Sequence, residues 1–151
     1  MWEIIRKDGG VIMFLGEYNY AIDDKGRLNF PPKFREQMGD SFIVTRWLDD
    51  CLVAFPQNEW QRISQLLLEK SMVKSRDIQR FLYASAIEAS ADKQGRILLP
   101  QALREHAGLV KDVSVIGVGS HAEIWNTEAW QSMNERMRSG PIAKAMEEME
   151  F

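Results

Sequence analysis

A repeated segment is the feature that most constrains how this chain of 151 residues can fold. The run Asp23-Asp24-Lys25-Gly26-Arg27-Leu28-Asn29-Phe30-Pro31 recurs 69 positions later as Asp92-Lys93-Gln94-Gly95-Arg96-Ile97-Leu98-Leu99-Pro100. The match continues past the proline, because Phe34-Arg35-Glu36 corresponds to Leu103-Arg104-Glu105. Modules this small are near the lower size limit at which a domain folds alone. The two copies are therefore expected to share one core or to interlock in a single pseudo-symmetric fold.

Each copy is predicted to contain short strands and one small helix. The first strand ends at an Asp-x-x-Gly turn, where glycine can take the positive φ of a tight hairpin. The small helix starts at proline and stops at glycine. Strands are predicted over 17–22, 41–46, 51–55, 85–91, 113–118 and 121–125, and helices over 32–38, 59–70, 76–84, 100–107 and 128–138. Asn58 and Thr127 are the predicted N-terminal caps of the helices over 59–70 and 128–138.

This organisation predicts an α+β fold and five parts along the chain. They are an N-terminal extension (1–12), a first module (15–60), a helical connector (61–85), a second module (86–130), and a C-terminal helix and tail (131–151). The extension has no counterpart before the second module, so we interpret it as a product of start-codon choice or cloning. The Met- and Glu-rich tail over 139–151 is either a partner-docking segment or a frayed end, and the sequence favours the frayed end.

Composition excludes several classes of protein. The longest apolar runs have five residues, far fewer than the ~20 that span a bilayer. No membrane partner is therefore expected. The single cysteine, Cys51, cannot form an intramolecular disulfide, which favours a cytoplasmic protein. The formal net charge of −3 means that contact with nucleic acid would have to come from a local patch.

The duplicated Asp-x-x-x-Arg turn is the most specific candidate for function. If Asp23 and Arg27, and likewise Asp92 and Arg96, flank a hairpin turn, each carboxylate can orient the guanidinium. An arginine held in this way loses less entropy when it binds a phosphate or the edge of guanine. Lys25 and Lys93 would add unspecific attraction to phosphates. We therefore assign the aspartates to positioning and the arginines to contact with nucleic acid.

A purely structural interpretation of these turns stays open. Asp-Lys-Gly-Arg is ordinary hairpin chemistry, and an exposed Asp–Arg pair adds only ~0–1 kcal/mol to stability. Each turn with its following helix has a local charge of only +1. One subunit would bind nucleic acid weakly, so affinity would require several hairpins presented together by an oligomer.

The pattern of motifs resembles the MraZ family over about residues 13–138. The likeness is carried by Met13-Phe14-Leu15-Gly16, by Asp24-Lys25-Gly26-Arg27-Leu28, by Leu103-Arg104-Glu105-His106-Ala107-Gly108-Leu109 and by Ile124-Trp125. Both Asp-x-x-x-Arg signatures are intact. Asn29 departs from the pattern, because an apolar or small strand residue is expected there.

The resemblance implies a fold and a function. The fold would be two pseudo-symmetric, β-barrel-like modules of the AbrB-like swapped-hairpin type, interlocked and flanked by helices. The protein would be a cytoplasmic, nucleoid-associated transcriptional regulator, usually a repressor. It would bind double-stranded DNA at direct repeats in the promoter of the division and cell-wall gene cluster, as a homo-oligomeric ring. Arg27 and Arg96 would be the DNA contacts.

Other chemistry finds little support in the sequence. His106, His121 and Cys51 form no motif typical of catalysis, and no paired-cysteine zinc spacing or phosphate loop is present. The acidic pairs at 23–24 and 49–50 are explained by turn capping without a metal. We therefore expect no enzyme activity, no cofactor and no metal. The main rival is an antitoxin-like module that would bind a protein partner through the tail over 139–151.

Overall fold

Ten strands and six helices make up the fold in a computed structural model, which describes residues 4–5 and 11–151, with side chains from Met13 onward. The strands are β1 (Ile4–Ile5), β2 (Val11–Ile12), β3 (Glu17–Ala21), β4 (Arg27–Asn29), β5 (Phe42–Arg46), β6 (Leu52–Pro56), β7 (Ile87–Ala89), β8 (Arg96–Leu98), β9 (Asp112–Gly117) and β10 (Ala122–Asn126). The helices are α1 (Pro32–Met38), α2 (Gln57–Glu69), α3 (Met72–Tyr83), α4 (Gln101–Ala107), α5 (Thr127–Arg138) and α6 (Pro141–Glu148). The predicted mixture of helices and antiparallel sheet is confirmed.

A six-stranded antiparallel sheet joins the two modules. Its order is β3-β9-β10-β6-β5-β7, so each module contributes three strands. β3 of the first module pairs with β9 of the second, and β7 of the second pairs with β5 of the first. β6 and β10 pair at the centre. Each module thus gives its first strand to the other, and the two copies interlock as the sequence predicts.

A separate two-stranded antiparallel ladder, formed by β4 and β8, also crosses between the modules. The sequence predicts that the strands on either side of each Asp-x-x-Gly turn form an ordinary hairpin. This prediction is wrong beyond the turn itself, because β3 joins the large sheet whereas β4 pairs with β8. Pairing with the other module lets Leu28 and Ile97 enter the shared core. A local hairpin would not bury these side chains together.

The shared core lies between the ladder, the small helices and the sheet. Phe14, Phe30, Phe34 and Phe42 form edge-to-face and stacked pairs, with ring centroids 5.0–6.1 Å apart. Such pairs stabilise a core by about 0.5–1.5 kcal/mol each beyond their buried area. Leu99 and Leu103 of the second module belong to the same cluster. The core therefore fixes the ladder against the body of the protein.

Two predicted helix caps are wrong, and α3 begins at Met72, four residues earlier than predicted. Pro56, and not Asn58, precedes the first residue of α2, and its side chain makes no capping bond. Asn126, and not Thr127, caps α5 by accepting a hydrogen bond from the backbone N–H of Ala129 at 3.0 Å. Each of these two capped helices starts directly after its strand, one or two residues earlier than predicted. The end of the chain also differs, because the favoured frayed tail contains α6.

Candidate nucleic-acid interface

The first Asp-x-x-x-Arg turn is closed by backbone and side-chain bonds. The N–H of Gly26 donates to the carbonyl of Asp23 at 3.0 Å, and Gly26 has the positive φ, 86°, that the turn requires. One carboxylate oxygen of Asp23 accepts from the N–H groups of Lys25 and Arg27 at 3.0 and 2.8 Å. The other accepts from Nε of Arg27 at 2.6 Å. The aspartate therefore fixes both the turn and the guanidinium.

The second turn repeats this arrangement. One oxygen of Asp92 accepts from the N–H groups of Gln94 and Arg96, each at 2.9 Å. Nε of Arg96 donates to the other oxygen at 3.1 Å, and Gly95 closes the turn with φ of 79°. The two side chains keep 36% (Arg27) and 27% (Arg96) of their accessible surface. Both guanidinium groups are accordingly within reach of a ligand.

Hydrogen bonding also lowers the pKa values of the two aspartates. The backbone N–H of Arg27 is the largest cause for Asp23, and that of Arg96 is the largest cause for Asp92. Hydrogen bonds to the charged form of a carboxyl favour that form. Both carboxylates are therefore ionised at neutral pH and can hold the adjacent guanidinium groups in place.

The ladder brings the two arginines to one face. In its register, Arg27 lies opposite Leu98, and Asn29 lies opposite Arg96. Because side chains alternate along a strand, these four share the side that faces away from the buried pair Leu28 and Ile97. Asn29, which departs from the family pattern, is exposed on this face. We call the four residues Arg27, Asn29, Arg96 and Leu98 the ladder face.

Two further arginines reach the turns from the opposite module. Nε of Arg35, on α1, donates to the carbonyl of Phe30 at 3.0 Å, and Nε of Arg104, on α4, donates to the carbonyl of Leu99 at 3.0 Å. The Arg35 guanidinium lies against Gly95, where a Cβ would come within 2.7 Å of its Cζ. Arg104 lies in the same way against Gly26, with Nε 2.9 Å from the position of a Cβ.

Sequence reasoning did not include Arg35 and Arg104 among the site residues. The available signal was their matched position in the repeat, but a half-buried arginine on a short helix has many structural explanations. The cross-module placement also changes the charge of the turns. The 92–96 turn together with Arg35 presents three basic side chains and one acid. Lys25 and Lys93 lie exposed in the two turns.

The three residues considered for catalysis, His106, His121 and Cys51, lie apart from the ladder face and contact other parts of the fold. Nε2 of His106 lies 3.1 Å from the carbonyl of Trp47, and His121 lies beside Glu123, with Nε2 and a carboxylate oxygen 3.7 Å apart. Cys51 is fully buried, and this burial raises the pKa of its thiol. The reactive thiolate is therefore not available at neutral pH.

In the part of the chain that the structure describes, no group of three or more His, Cys, Asp or Glu side chains is arranged to hold a metal ion. Of the helices described, none has both the length and the apolar character needed to cross a bilayer.

Known proteins share the repeat. The family model described as "MraZ protein, putative antitoxin-like" matches residues 13–81 and again residues 82–150. The chain is 48% identical to the transcriptional regulator MraZ of Heliobacterium modesticaldum, over 82% of this chain and 88% of that protein. It is 50% identical to the transcriptional regulator MraZ of Limosilactobacillus fermentum, over 84% and 90%. With that of Acetivibrio thermocellus the identity is 45%, over 89% and 96%.

Two matches to one family model together cover residues 13–150, and the relatives align over most of their own length. The resemblance read from the motifs is confirmed by both kinds of comparison. This chain belongs to the MraZ family.

Proposed function

We propose that this chain is a sequence-specific, DNA-binding transcriptional regulator, acting as a repressor. It binds direct repeats in the promoter of the division and cell-wall gene cluster, in the cytoplasm and on the nucleoid. Regulation of transcription is supported by the names of the relatives. The observation that carries DNA binding is the ladder face with two arginines, each braced by an aspartate and each still exposed.

The shape of the ladder suits a DNA groove. The major groove is about 12 Å wide and admits a two-stranded β-ribbon. Arg27 and Arg96 stand diagonally across the two strands, where neighbouring residues are roughly 7–8 Å apart. Each guanidinium uses Nε for its aspartate, and among the described residues its two Nη atoms donate no hydrogen bond. Those atoms match the bidentate geometry with which arginine contacts guanine or phosphate.

Exchange of strands between the modules supports assignment to the swapped-hairpin class. β3 and β7 each complete the sheet of the other module, and β4 and β8 meet between them. One subunit then presents both turns from a single rigid element. Because the whole chain carries a net charge of −3, we infer that strong binding requires a ring of several subunits that contact several repeats together.

Replacement of Arg27 by alanine tests the DNA contact. We expect Arg27→Ala to weaken binding to a selected operator at least tenfold, as measured by fluorescence anisotropy, because it removes a charged donor that contacts DNA. Arg138→Ala is the matched control, since Arg138 is an exposed arginine on α5 that pairs with Glu135 away from the ladder. Equal operator affinity for Arg27→Ala and the wild type would overturn the assignment.

Salt dependence separates the phosphate and base contributions. Log affinity decreases with log salt, and the magnitude of this slope becomes smaller by roughly 0.9 for each phosphate contact that is lost. Lys25→Ala and Lys93→Ala should lower this slope and weaken binding to all sequences alike. An unchanged slope in both variants would remove the lysines from the proposed interface.

An antitoxin-like role is the second candidate, because the family description includes that term. In this role the ladder would be a scaffold, and the segment over 139–151 would inhibit a protein partner. Co-purification from the native cell, with and without residues 139–151, distinguishes the two functions. A small protein that is retained only by the full chain would favour the antitoxin-like role, whereas selection of periodic direct repeats from random DNA would favour the regulator.

A further inference from the structure

An apolar groove of about 730 Å³ opens between α2 and α3. Leu67 and Leu82 are its buried residues, whereas Leu66 and Ile78 line it with 42% and 49% of their surface exposed. Leu48, which is 65% exposed, extends the apolar surface at one side. Contiguous apolar surface of this kind marks interaction sites in soluble proteins. We call this surface the α2–α3 groove.

The C-terminal helix α6 has a complementary apolar side. Ile142 and Met146 have the spacing i and i+4 on one side of α6, and Met149, directly after the last helical residue, continues this spacing at i+7. They keep 46%, 44% and 73% of their surface exposed, although α6 packs against α5. Phe151, just beyond the helix, is 85% exposed. The apolar side of α6 thus lies open to a partner.

The charges around the two surfaces are of opposite sign. The segment over 57–83, which contains α2 and α3, has five basic and three acidic side chains. Lys70 lines the groove itself, and Asp77, which also lines it, is paired with Arg80 at 3.2 Å. The segment over 139–151 has three glutamates and one lysine. Complementary charge of this kind steers association and fixes the register of a contact.

The groove and α6 belong to opposite halves of the molecule. α2 packs on β5 and β6, whereas α5, which carries α6, packs on β9 and β10. These strand pairs occupy the two halves of the six-stranded sheet. A contact between the groove of one copy and α6 of another therefore joins different surfaces. Such head-to-tail contacts produce rings when the rotation closes and filaments when it does not.

We propose that α6 of one copy docks into the α2–α3 groove of a second copy of this chain. This inference deepens the proposed function, because it names the two surfaces that would assemble the ring. It rests on the proposed function only for what the ring does. Every copy has one groove and one α6, so each copy binds two neighbours. The ladder face is not used in the contact and stays available to DNA.

Native mass tests this docking. Light scattering of the purified full chain should give a mass of several subunits. Met146→Glu and Leu66→Glu should each lower that mass to one subunit, because either change places a carboxylate in the apolar contact. Val110→Glu is the matched control, since Val110 is 83% exposed in the loop after α4, outside both surfaces, and the mass should not change. Thermal unfolding of every variant establishes that the fold is retained.

Mixing the two variants gives a sharper test. Met146→Glu leaves the groove intact and Leu66→Glu leaves α6 intact, so an equimolar mixture has only one working pair of surfaces. The mixture should form a dimer of one copy of each and nothing larger. A monomeric wild type would overturn the proposal. So would a folded Met146→Glu or Leu66→Glu variant with the wild-type mass, or a mixture that restores the full assembly.

Failure of this inference can be distinguished from failure of the proposed function. Arg27→Ala should keep the wild-type mass and lose operator affinity. Met146→Glu should lose the mass and keep only the weak affinity of one ladder face. If Met146→Glu keeps the mass and Arg27→Ala still loses DNA binding, the docking proposal is wrong and the regulator proposal stands.

Discussion

Asp23 and Asp92 each stabilise an arginine turn through the backbone as well as through the side chain. Oδ1 of Asp23 accepts two backbone N–H groups, and only Oδ2 is directed at the guanidinium of Arg27. The aspartate would therefore hold the turn in shape even without the arginine side chain. DNA contact and turn geometry can thus be separated by experiment.

The pKa of Asp23 provides that separation. In Arg27→Ala, we expect the pKa of Asp23 to stay below the ordinary value of about 3.9. The largest cause of the lowering is the hydrogen bond from the backbone N–H of residue 27, and alanine keeps that N–H. A lowered folded-state pKa contributes stability above the unfolded value, and this stability is lost as pH falls through the folded value. The turn should therefore be unaffected between pH 5 and 8, which is well above that range.

Carboxyl ¹³C shifts followed through an acid titration measure this pKa in the wild type and in Arg27→Ala. A return to the ordinary value in the variant would mean that the turn has opened. Any loss of DNA binding would then reflect the turn and not the missing guanidinium.

The two turn glycines differ in what surrounds them. A Cβ on Gly26 would lie 2.6 Å from the backbone carbonyl of Leu99, which accepts the hydrogen bond from Arg104. A Cβ on Gly95 would meet only the end of the Arg35 side chain, which can move. Gly108 also has positive φ, but its nearest neighbour lies at 4.0 Å. Substitutions at these three positions therefore distinguish the cost of backbone strain, which all three share, from the cost of steric overlap, which only Gly26 and Gly95 add.

Alanine substitutions at the three glycines should follow that order. Gly108→Ala should cost about 1–2 kcal/mol from the left-handed backbone alone. Gly26→Ala should cost roughly 1–3 kcal/mol more, because backbone must shift. Gly95→Ala should fall between them and should also weaken DNA binding, because Arg35 is displaced from the turn. Urea unfolding measures all three, and equal costs at Gly26 and Gly108 would contradict the close packing at the ladder.

The role of Arg35 and Arg104 could not be predicted from the sequence, for a physical reason. Each arginine packs on a glycine that lies about 60–80 positions away in the other module. Nothing in the local pattern of a short helix specifies such a partner. The pairing of each aspartate with its arginine could be predicted, because both side chains belong to the same turn of five residues, which a glycine closes. These pairs are Asp23 with Arg27 and Asp92 with Arg96.

At the scale of the elements, Asn126 connects two helices. Its Oδ1 accepts from the N–H of Ala129 at the start of α5, and its Nδ2 donates to the carbonyl of Gly108 at the end of α4, at 2.8 Å. A side chain that caps one helix and also bonds to the end of another contributes more to the free energy of unfolding than a simple cap does. Asn58, in the corresponding region of the first module, lies inside α2.

Asn126→Ala should therefore lower the free energy of unfolding by about 1–2 kcal/mol. Asn58→Ala removes one hydrogen bond, which the Asn58 side chain accepts from the N–H of Glu59 at 2.9 Å, but no bond between two helices, so the loss should be smaller, about 0.5 kcal/mol. Thermal or urea unfolding of both variants provides the comparison. A larger loss at Asn58 would support the cap predicted from the sequence and contradict the one observed.

Helices could be predicted more closely than strand pairing. The bounds of α1 match because Pro32 and Gly39 are local signals that start and stop a helix. The partners of β3 and β7 could not be derived, since strands of three to five residues have no pattern that names a distant partner. The repeat indicated only that the copies interlock, and the pairing itself depends on which arrangement buries Leu28 and Ile97 together.

At the scale of the whole molecule, the strand exchange makes the two modules one cooperative unit. The six-stranded sheet contains three strands of each module, and the ladder and the aromatic core also contain residues of both. Neither module has a complete sheet of its own, because β9 requires β3 and β5 requires β7. Elements of one module therefore cannot unfold without exposing apolar surface of the other.

We expect the full chain to unfold in a single transition, with coincident urea curves from far-ultraviolet circular dichroism and tryptophan fluorescence. The control is a fragment over 13–81, which lacks β9 and β7 and should not fold as a monomer. Two copies of that fragment could replace the missing strands for each other, so any folded fraction should depend on concentration and have the mass of a dimer. A folded monomeric fragment, or two separated transitions in the full chain, would contradict the cooperative unit. Because Arg27 and Arg96 are held by the pairing of β4 with β8, a monomeric fragment should lack the ladder face and the DNA binding proposed for it.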